Sequence, residues 1–275
     1  MATVAKAQTA YVLGNTSVEH SRLIRQARLI SKITQHFLET ALAPGMGVLD
    51  VGSGVGDMTL LAARIVGNSG HVVGIDSDAS ALAVARERVV QEGITNVIFH
   101  VSDFREYEPL EVYDALIGRC VLLHQPDPLG ALKYLLKHLS PGAVVAFQEP
   151  WFSRAFSCPE APVFQTMIGW LHETVHKSGL DGDIGVRLPA LYDAAGLPGP
   201  RLTFEILMDC TAESELYDFC AETVRSLLPR IQELGICTAE QVQVDTLAER
   251  LKDEARRLHT VIGVMPLVGA VAWKS

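Results

Sequence analysis

Apolar and polar positions along the chain follow two periods in turn, one typical of strands and one typical of helices. Short, nearly continuous apolar runs predict strands at 47–51, 71–75, 97–101, 113–117 and 143–148. Apolar residues at helical spacing predict helices at 58–66, 79–91 and 129–139. Strands this apolar are typical of a parallel sheet that is covered on both faces. The pattern therefore predicts an α/β fold with a doubly wound, mostly parallel sheet.

The segments on either side of this alternating region predict further helices. A first helix is expected over about 16–42, with Thr16 and Glu19 as a capping box. After Pro150 the chain is aromatic-rich and partly helical to about residue 180. The sheet is expected to resume with a helix near 188–195 and a strand near 202–207. Two long helices, punctuated by Pro229 and Gly235, are expected over 212–257. A last strand falls within 261–273. We expect one domain of residues 1–275, with an N-terminal helical cover (1–43), a ligand-binding core (44–150) and helical insertions that form a lid (151–180 and 212–257).

Composition and charge narrow the class of protein. The chain has 275 residues, 48% of them hydrophobic, and a formal net charge of −9. An acidic chain is a poor partner for nucleic acid or an anionic membrane surface, so neither is expected. The five cysteines are widely spaced and odd in number, and the first ten residues lack an apolar signal core. These features favour a reducing cytoplasm over export.

The strongest local signal is VLDVGSGVGD at residues 48–57, where a predicted strand runs through a glycine-rich turn into a helix. Glycines let the backbone turn sharply and approach a ligand closely, and the helix N-terminus adds unpaired N–H groups. A dinucleotide site has the spacing G-x-G-x-x-G, whereas here the third glycine comes one residue early. A plain strand-to-helix turn is the alternative.

Polar side chains follow the next two predicted strands. Asp76 ends the second strand, where a carboxylate can accept hydrogen bonds from both ribose hydroxyls; a helix cap is the alternative, although Ser77 or Asp78 could serve as the cap. Ser102-Asp103-Phe104 ends the third strand, where Asp103 can accept from an adenine amino group and Phe104 can pack on the base. A turn residue and a core phenylalanine are the alternatives. Three successive strand ends with such residues indicate a nucleoside site.

On these motifs the sequence resembles the class I S-adenosylmethionine-dependent methyltransferases, over about residues 11–150. VLDVGSGVG, VVGIDSD, SDF and LSPGAVVAF match the corresponding motifs of that family. The resemblance implies a seven-stranded sheet with the last strand antiparallel, and S-adenosyl-L-methionine as cofactor. The cofactor residues that it implies are Asp50, Gly52, Ser53, Gly54, Gly56, Asp76, Ser77, Ser102, Asp103 and Phe104.

The segment YVLGNTSVEHSRLIRQ, residues 11–26, is similar to the leader of small-molecule methyltransferases of the ubiquinone-biosynthesis kind. In those enzymes the leader folds over the cofactor. The resemblance makes Tyr11 and Gln26 candidate cofactor residues. An exposed tyrosine and a polar residue on a surface helix are the alternatives.

Candidate chemistry follows the fourth and fifth strands. Arg119 could pair with the cofactor carboxylate or with an acidic substrate group. A surface residue at a strand end is the alternative for Arg119. His124 is the first candidate for a general base, with a loop-stabilising or capping role as its alternative. Glu149 is the second candidate, with a cap or a salt-bridge partner as its alternative. Gln125-Pro126-Asp127-Pro128 does not reproduce the N/D-P-P-Y/F tetrad of nucleic-acid amino-methyltransferases. The expected activity is methyl transfer to a small molecule without a metal; the acceptor atom stays open, and a homodimer is compatible with the sequence.

Other hypotheses stay beside this one. A nicotinamide oxidoreductase shares the first half of the architecture, and a non-catalytic methyltransferase-like subunit would bind the cofactor without transfer. His172-Glu173-Thr174-Val175-His176 is a formal H-E-x-x-H, which on a helix could bind zinc, but Gly182 stands where the longer motif wants histidine. The aromatic residues Trp151, Phe152, Phe156, Phe164 and Trp170 predict either a hydrophobic core under the lid or the wall of an apolar substrate pocket.

Overall fold

The structure, a computed structural model, describes residues 17–109 and 111–275. Its strands are β1 (Gly47–Val51), β2 (His71–Asp76), β3 (Val97–Val101), β4 (Tyr113–Arg119), β5 (Leu139–Pro150), β6 (Phe156–Cys158), β7 (Arg201–Asp209) and β8 (Val261–Trp273). Its helices are α1 (Ser17–Glu39), α2 (Asp57–Val66), α3 (Ala79–Gln91), α4 (Pro128–Leu135), α5 (Pro162–Lys177), α6 (Ile184–Ala195), α7 (Leu216–Glu233), α8 (Ala239–Val242) and α9 (Val244–Leu258).

The strands form one sheet with the order β3-β2-β1-β4-β5-β8, and β7 pairs with the far edge of β8. Strands β1 to β5 are parallel to their neighbours, and β8 is antiparallel to both β5 and β7. The carboxyl ends of β1 to β5 therefore meet at one edge of the sheet, where open α/β sheets bind their ligands. We call the residues that follow these strands there (52–56, 77–78, 102–104, 120–124 and 151) the rim. The prediction of a doubly wound, mostly parallel sheet is confirmed.

The described chain has eight strands, so the expected number of seven is corrected. The additional strand is β6, which has three residues and pairs with Val261–Gly263 of β8. It continues β5 along the same edge of β8, because a short 3-10 turn at Phe152–Arg154 interrupts the strand and the chain then returns to the ladder. The interruption lies within the aromatic-rich segment, which has no strand periodicity.

Helices cover the two faces of the sheet with separate apolar clusters. On one face α4 and α6 bury Leu132, Leu188 and Tyr192 against β4, β5 and β8. On the other face α1 and α2 bury Phe37 and Val66 against the same sheet. At about 25 cal/mol per Å² of apolar surface, burial on both faces is the largest favourable term in folding. The predicted helix at 79–91 and strand at 97–101 have the predicted bounds.

A third apolar cluster joins α5, α7 and α9 to the first residues of β8, and we call these helices the helical layer. The buried Glu254 of α9 accepts backbone hydrogen bonds from Val163 (3.0 and 2.9 Å) and Phe164 (3.1 Å) at the start of α5. Residues 212–257 were expected to form two long helices punctuated by Pro229 and Gly235. The two long helices are α7 and α9, and Gly235 (φ 64°) follows the end of α7, whereas Pro229 lies inside α7. A single-turn α8, followed by a left-handed Gln243 (φ 48°), separates α7 from α9.

Candidate active site

Three glycines of the loop after β1 have positive φ angles, for different physical reasons. A Cβ at Gly52 would lie 2.6 Å from Val121 Cγ2, and one at Gly56 would lie 3.1 Å from Ala85 Cβ. These two glycines therefore permit close packing of the rim and of α2 against α3. Among the described residues, a Cβ at Gly54 (φ 53°) would meet nothing within 4 Å. Gly54 is thus the glycine of this loop that borders open space, where a ligand would fit.

The neighbouring Ser53 is 7% exposed, and among the described residues its Oγ has no hydrogen-bond partner. Its backbone N–H donates to the Ile75 carbonyl (3.0 Å), which fixes the loop to β2. The Oγ faces Gly74 of β2, where an added Cβ would lie 3.1 Å from it. Buried hydroxyls are almost always paired in folded proteins, so Ser53 is a donor that a polar ligand could satisfy after a change of rotamer.

Asp76 is the last residue of β2, directly before the rim, and holds the glycine loop. One carboxylate oxygen accepts from the Gly54 N–H (2.8 Å) and the other from the Asp78 N–H (2.8 Å). Burial raises the pKa of Asp76. The cap of α3 is Asp78, which accepts from the Ser80 and Ala81 N–H groups, and Ser77 is exposed between the two acids. The capping alternative for Asp76 is therefore excluded.

At the end of β3, Asp103 forms an ion pair with Arg105, whose Nε lies 2.9 and 3.1 Å from the two carboxylate oxygens. The Ser102 hydroxyl donates to the Asp103 carbonyl (3.1 Å). Phe104 is 8% exposed and belongs to the apolar cluster under the rim. Phe104 therefore occupies the core position that was its alternative. Asp103 would have to release Arg105 before it could accept a hydrogen bond from an adenine amino group.

Beneath α1, Arg119 anchors a buried polar network. It donates to the Thr34 hydroxyl (2.9 Å) and lies 3.8 Å from the Asp57 carboxylate. Thr34 in turn donates to the Gln148 side-chain oxygen (3.2 Å), while Gln148 Nε2 is buried without a partner among the described residues. Gln148 is fully buried, so Arg119, whose side chain is 12% exposed, is the member of this network that a carboxylate ligand could reach.

Asp50, inside β1, is 1% exposed and accepts from the Thr59 hydroxyl (2.5 Å). Burial raises the pKa of Asp50 to about 7, although the Thr59 hydrogen bond and the Arg119 charge oppose the increase. Asp50 therefore supports the loop from below and is screened from ligand.

Glu149 does not have the position of an acceptor-side base. It is fully buried, one carboxylate oxygen accepts from the Val121 and Leu122 N–H groups (2.9 Å each), and the other lies 3.4 Å from the Leu123 nitrogen. Burial raises the pKa of Glu149 to about 7. The structure therefore assigns Glu149 the capping role: it holds the short 3-10 turn at Leu122–His124.

His124 ends that turn and is partly buried. Burial lowers the pKa of His124 to about 4, so the imidazole is neutral at pH 7. A neutral imidazole can accept a proton, but a pKa this low gives little driving force for deprotonating an acceptor hydroxyl. His124 lies on the rim, where the prediction places it, and its role as a general base stays a prediction.

The cover helix α1 carries a residue that sequence reasoning missed. Arg22 is 3% exposed and pairs with the buried Glu19 (2.6 Å), which also accepts from Ser226 of α7. Arg22 donates to the Gln26 side-chain oxygen (2.7 Å), and its charge is close enough to lower the pKa of Cys120 on the rim, against the larger effect of burial. The signal was present in the E-x-x-R-x-x-x-Q spacing, which puts these side chains on one face of a helix. Tyr11 lies outside the described residues.

The H-E-x-x-H segment lies on α5, where Thr174 and Val175 face the core. Glu173 pairs with Lys177 (2.7 Å), and both histidines are exposed. Among the residues that the structure describes, no three metal-ligating side chains come together. The H-E-x-x-H segment therefore places its two histidines and Glu173 on the exposed face of α5.

The aromatic segment after β5 has mixed roles. Phe164 and Trp170 belong to the core of the helical layer, and Trp151 packs edge-on against Phe204 (5.6 Å between ring centroids). Phe152 lines a small apolar cavity with Ile168, Leu171 and Met265, just above the rim. The core alternative thus describes most of these residues.

Comparison with known proteins decides the family. Residues 42–178 match the model of a family described as a methyltransferase domain. The chain belongs to the class I S-adenosylmethionine-dependent methyltransferases. The arsenite methyltransferase of Halobacterium salinarum is 34% identical over 110 residues, 40% of this chain and 28% of that protein. The ubiquinone/menaquinone biosynthesis C-methyltransferase UbiE of Vibrio vulnificus is 34% identical over 114 residues, 40% of this chain and 44% of that protein.

Two solved structures share the fold of this chain. The YcgJ protein of Bacillus subtilis has a TM-score of 0.57 at 17% identity, over 88% of this chain and 98% of that one. The phosphoethanolamine N-methyltransferase 2 of Haemonchus contortus has a TM-score of 0.54 at 19% identity, over 88% and 52% of the two chains. The sequence matches to the two curated methyltransferases span less than half of their lengths. No helix in the described part of this methyltransferase has the length and apolarity that crossing a bilayer requires.

Proposed function

We propose that this methyltransferase transfers the methyl group of S-adenosyl-L-methionine to a small molecule in the cytoplasm. The observation that carries the proposal is the open, left-handed Gly54 beside the orphaned Ser53 hydroxyl, with Asp76 bonded to the same loop. Asp76 and Asp103 would hold the ribose and adenine, and Arg119 would receive the methionine carboxylate. When bound, the sulfonium supplies an activated methyl group.

The residues of this chain contribute orientation and exclusion of water. Arg119 is fixed by Thr34 and Asp57, and Glu149 fixes the turn at Leu122–His124, so the rim is ordered before a ligand arrives. Such preorganisation is the main contribution a methyltransferase must make, because an in-line attack on an activated methyl group needs proximity above all. The α1 helix and the helical layer act as cover and lid over the rim.

The acceptor is proposed to be a small molecule for two reasons. The net charge of −9 disfavours a phosphate backbone, and Phe152, Leu171 and Met265 line an apolar cavity at the carboxyl end of β5. The test is incubation of the full chain with labelled methyl donor and fractionated metabolite pools. Label recovered in a small-molecule fraction supports the proposal; label recovered in nucleic acid or protein alone contradicts it.

A further inference from the structure

A second cavity lies on the helical layer, between the last turns of α9 and the start of α7. Its volume is about 220 Å³, and it is lined by Cys210, Ala212, Tyr217, Lys252, Ala255, Arg256 and His259. At about 30 Å³ per water molecule this space holds on the order of seven waters, enough for a small metabolite.

The α9 side of the cavity is basic. Lys252, Arg256 and His259 follow one another at helical spacing and so share one face of the helix. Their acidic neighbours hold them weakly: Glu249 lies 3.9 Å from Lys252 and is 73% exposed, and Asp253 lies 3.3 Å from Arg256 and is 69% exposed. Exposed pairs of this kind contribute only about 0–1 kcal/mol, so both cations can turn to a ligand at little cost.

The α7 side supplies a hydrogen-bond donor. Tyr217 is 3% exposed, lines the cavity, and has no hydrogen-bond partner for its hydroxyl among the described residues. Burial, and then the nearby Asp209, raise the pKa of Tyr217, so the hydroxyl stays protonated. Asp209 is itself occupied by the backbone N–H groups of Cys210 (2.7 Å) and Thr211 (2.8 Å).

This cavity is separate from the rim. Asp209 stands opposite Ile262 of β8, whereas Pro150, the last residue of β5, stands opposite Leu267. Ile262 and Leu267 are five residues apart along β8, which is roughly 17 Å at about 3.3 Å per residue. The cavity also lies on the β7 side of β8, away from the glycine loop.

We infer that this cavity is a binding site for a small oxyanion, a carboxylate or phosphate ester, held by Lys252 and Arg256 with Tyr217 as donor. A ligand there ties α9 to α7, and α7 also contacts the cover helix through Ser226 and Glu19. The inference is independent of the proposed methyl transfer, because it requires nothing at the rim.

Calorimetric titration of the full chain with inorganic phosphate and, separately, with malonate tests the site and distinguishes the two anion classes. At least one probe is expected to bind with a Kd below about 1 mM. R256Q and K252Q, each checked for folding by circular dichroism, should weaken that binding at least tenfold, and Y217F about threefold. The control R257Q removes an equal charge from an exposed residue that does not line the cavity, and it should leave the affinity unchanged.

Three results would overturn the inference. A Kd above that limit for both probes would do so. So would an equal loss of affinity in R257Q, since the anion would then be responding to overall charge. Displacement of the probe by saturating S-adenosylhomocysteine would place it at the rim instead.

Discussion

The carboxylate of Glu149 lies 2.9 Å from the backbone nitrogen of Val121, across the carboxyl ends of β5 and β4. The same oxygen accepts from Leu122, so a single buried side chain fixes the turn that carries His124. Glu149 is therefore a positioning residue, and its raised pKa should make the stability of the protein depend on pH.

The first prediction concerns the pH dependence of stability. Burial raises the pKa of Glu149 from 4.5 to about 7, so its protonated form favours the folded state. That contribution is complete below the unfolded pKa and is lost as the pH rises through about 7. The free energy of unfolding of the native chain, minus that of E149Q, should therefore fall by about 3 kcal/mol between pH 5 and pH 8 in urea titrations.

The matched control is E173Q, which alters an exposed glutamate paired with Lys177. The unfolding free energy of the native chain minus that of E173Q should change by less than about 1 kcal/mol between pH 5 and pH 8. If the corresponding value for E149Q did not change with pH, Glu149 would have an ordinary pKa. Activity separates the two roles: a capping residue leaves kcat of the folded E149Q within about tenfold, whereas loss of a general base costs about 100-fold or more.

The second prediction compares two glycines. Gly54 and Gly196 both have positive φ (53° and 89°), and among the described residues an added Cβ would meet nothing at either. G54A and G196A should therefore each lose stability, about 1–2 kcal/mol, from backbone strain. G54A alone should weaken S-adenosylhomocysteine binding at least tenfold, as measured by calorimetry. Equal affinities in the two variants would show that the loop does not face the ligand.

The third prediction concerns the partner of Asp103, which is Arg105 in the structure and would be adenine in the complex. If adenine replaces Arg105 as its partner, R105A should tighten S-adenosylhomocysteine binding by up to about fivefold, the value of an exposed ion pair. D103A should weaken it by about tenfold, because a hydrogen bond to a charged group is lost. Weaker binding in R105A would show that Arg105 orients Asp103 for the ligand.

The fourth prediction tests the docking of α1. R22Q removes the cation from the buried Glu19–Arg22 pair, which should cost about 3–5 kcal/mol of unfolding free energy. R25Q, on the same helix, removes a partly exposed pair with Glu222 and should cost at most about 1 kcal/mol. Thermal and urea unfolding measure both. Similar costs would mean that the Glu19–Arg22 pair is not buried in solution.

Sequence reasoning predicted the centre of the sheet well because β1, β2, β4 and β5 are largely buried on both faces and are therefore nearly continuously apolar. The helix bounds at 79–91 followed from a cap at Asp78 and a stop at Gly93, which are local signals. The strand β6 escaped prediction because its three residues pair with a segment about a hundred positions away. No local period marks such a pairing.

At the site, sequence reasoning found which residues reach the rim but not which way they face. Asp76 and Arg119 are where the strand ends place them. Glu149 occupies the predicted end of β5, yet its partners come from the turn after β4, and burial depends on that tertiary contact. Arg22 was missed because its proximity to the rim is set by the docking of α1 against α7.

The central claim is that the rim around Asp76 binds S-adenosylmethionine. The most direct measurement is calorimetric titration of the full chain with S-adenosylhomocysteine and with NADPH, repeated on D76A. The account predicts micromolar binding of S-adenosylhomocysteine, at least a tenfold loss in D76A, and no heat with NADPH. Tight binding of NADPH with no response to S-adenosylhomocysteine, or an unchanged affinity in folded D76A, would contradict it.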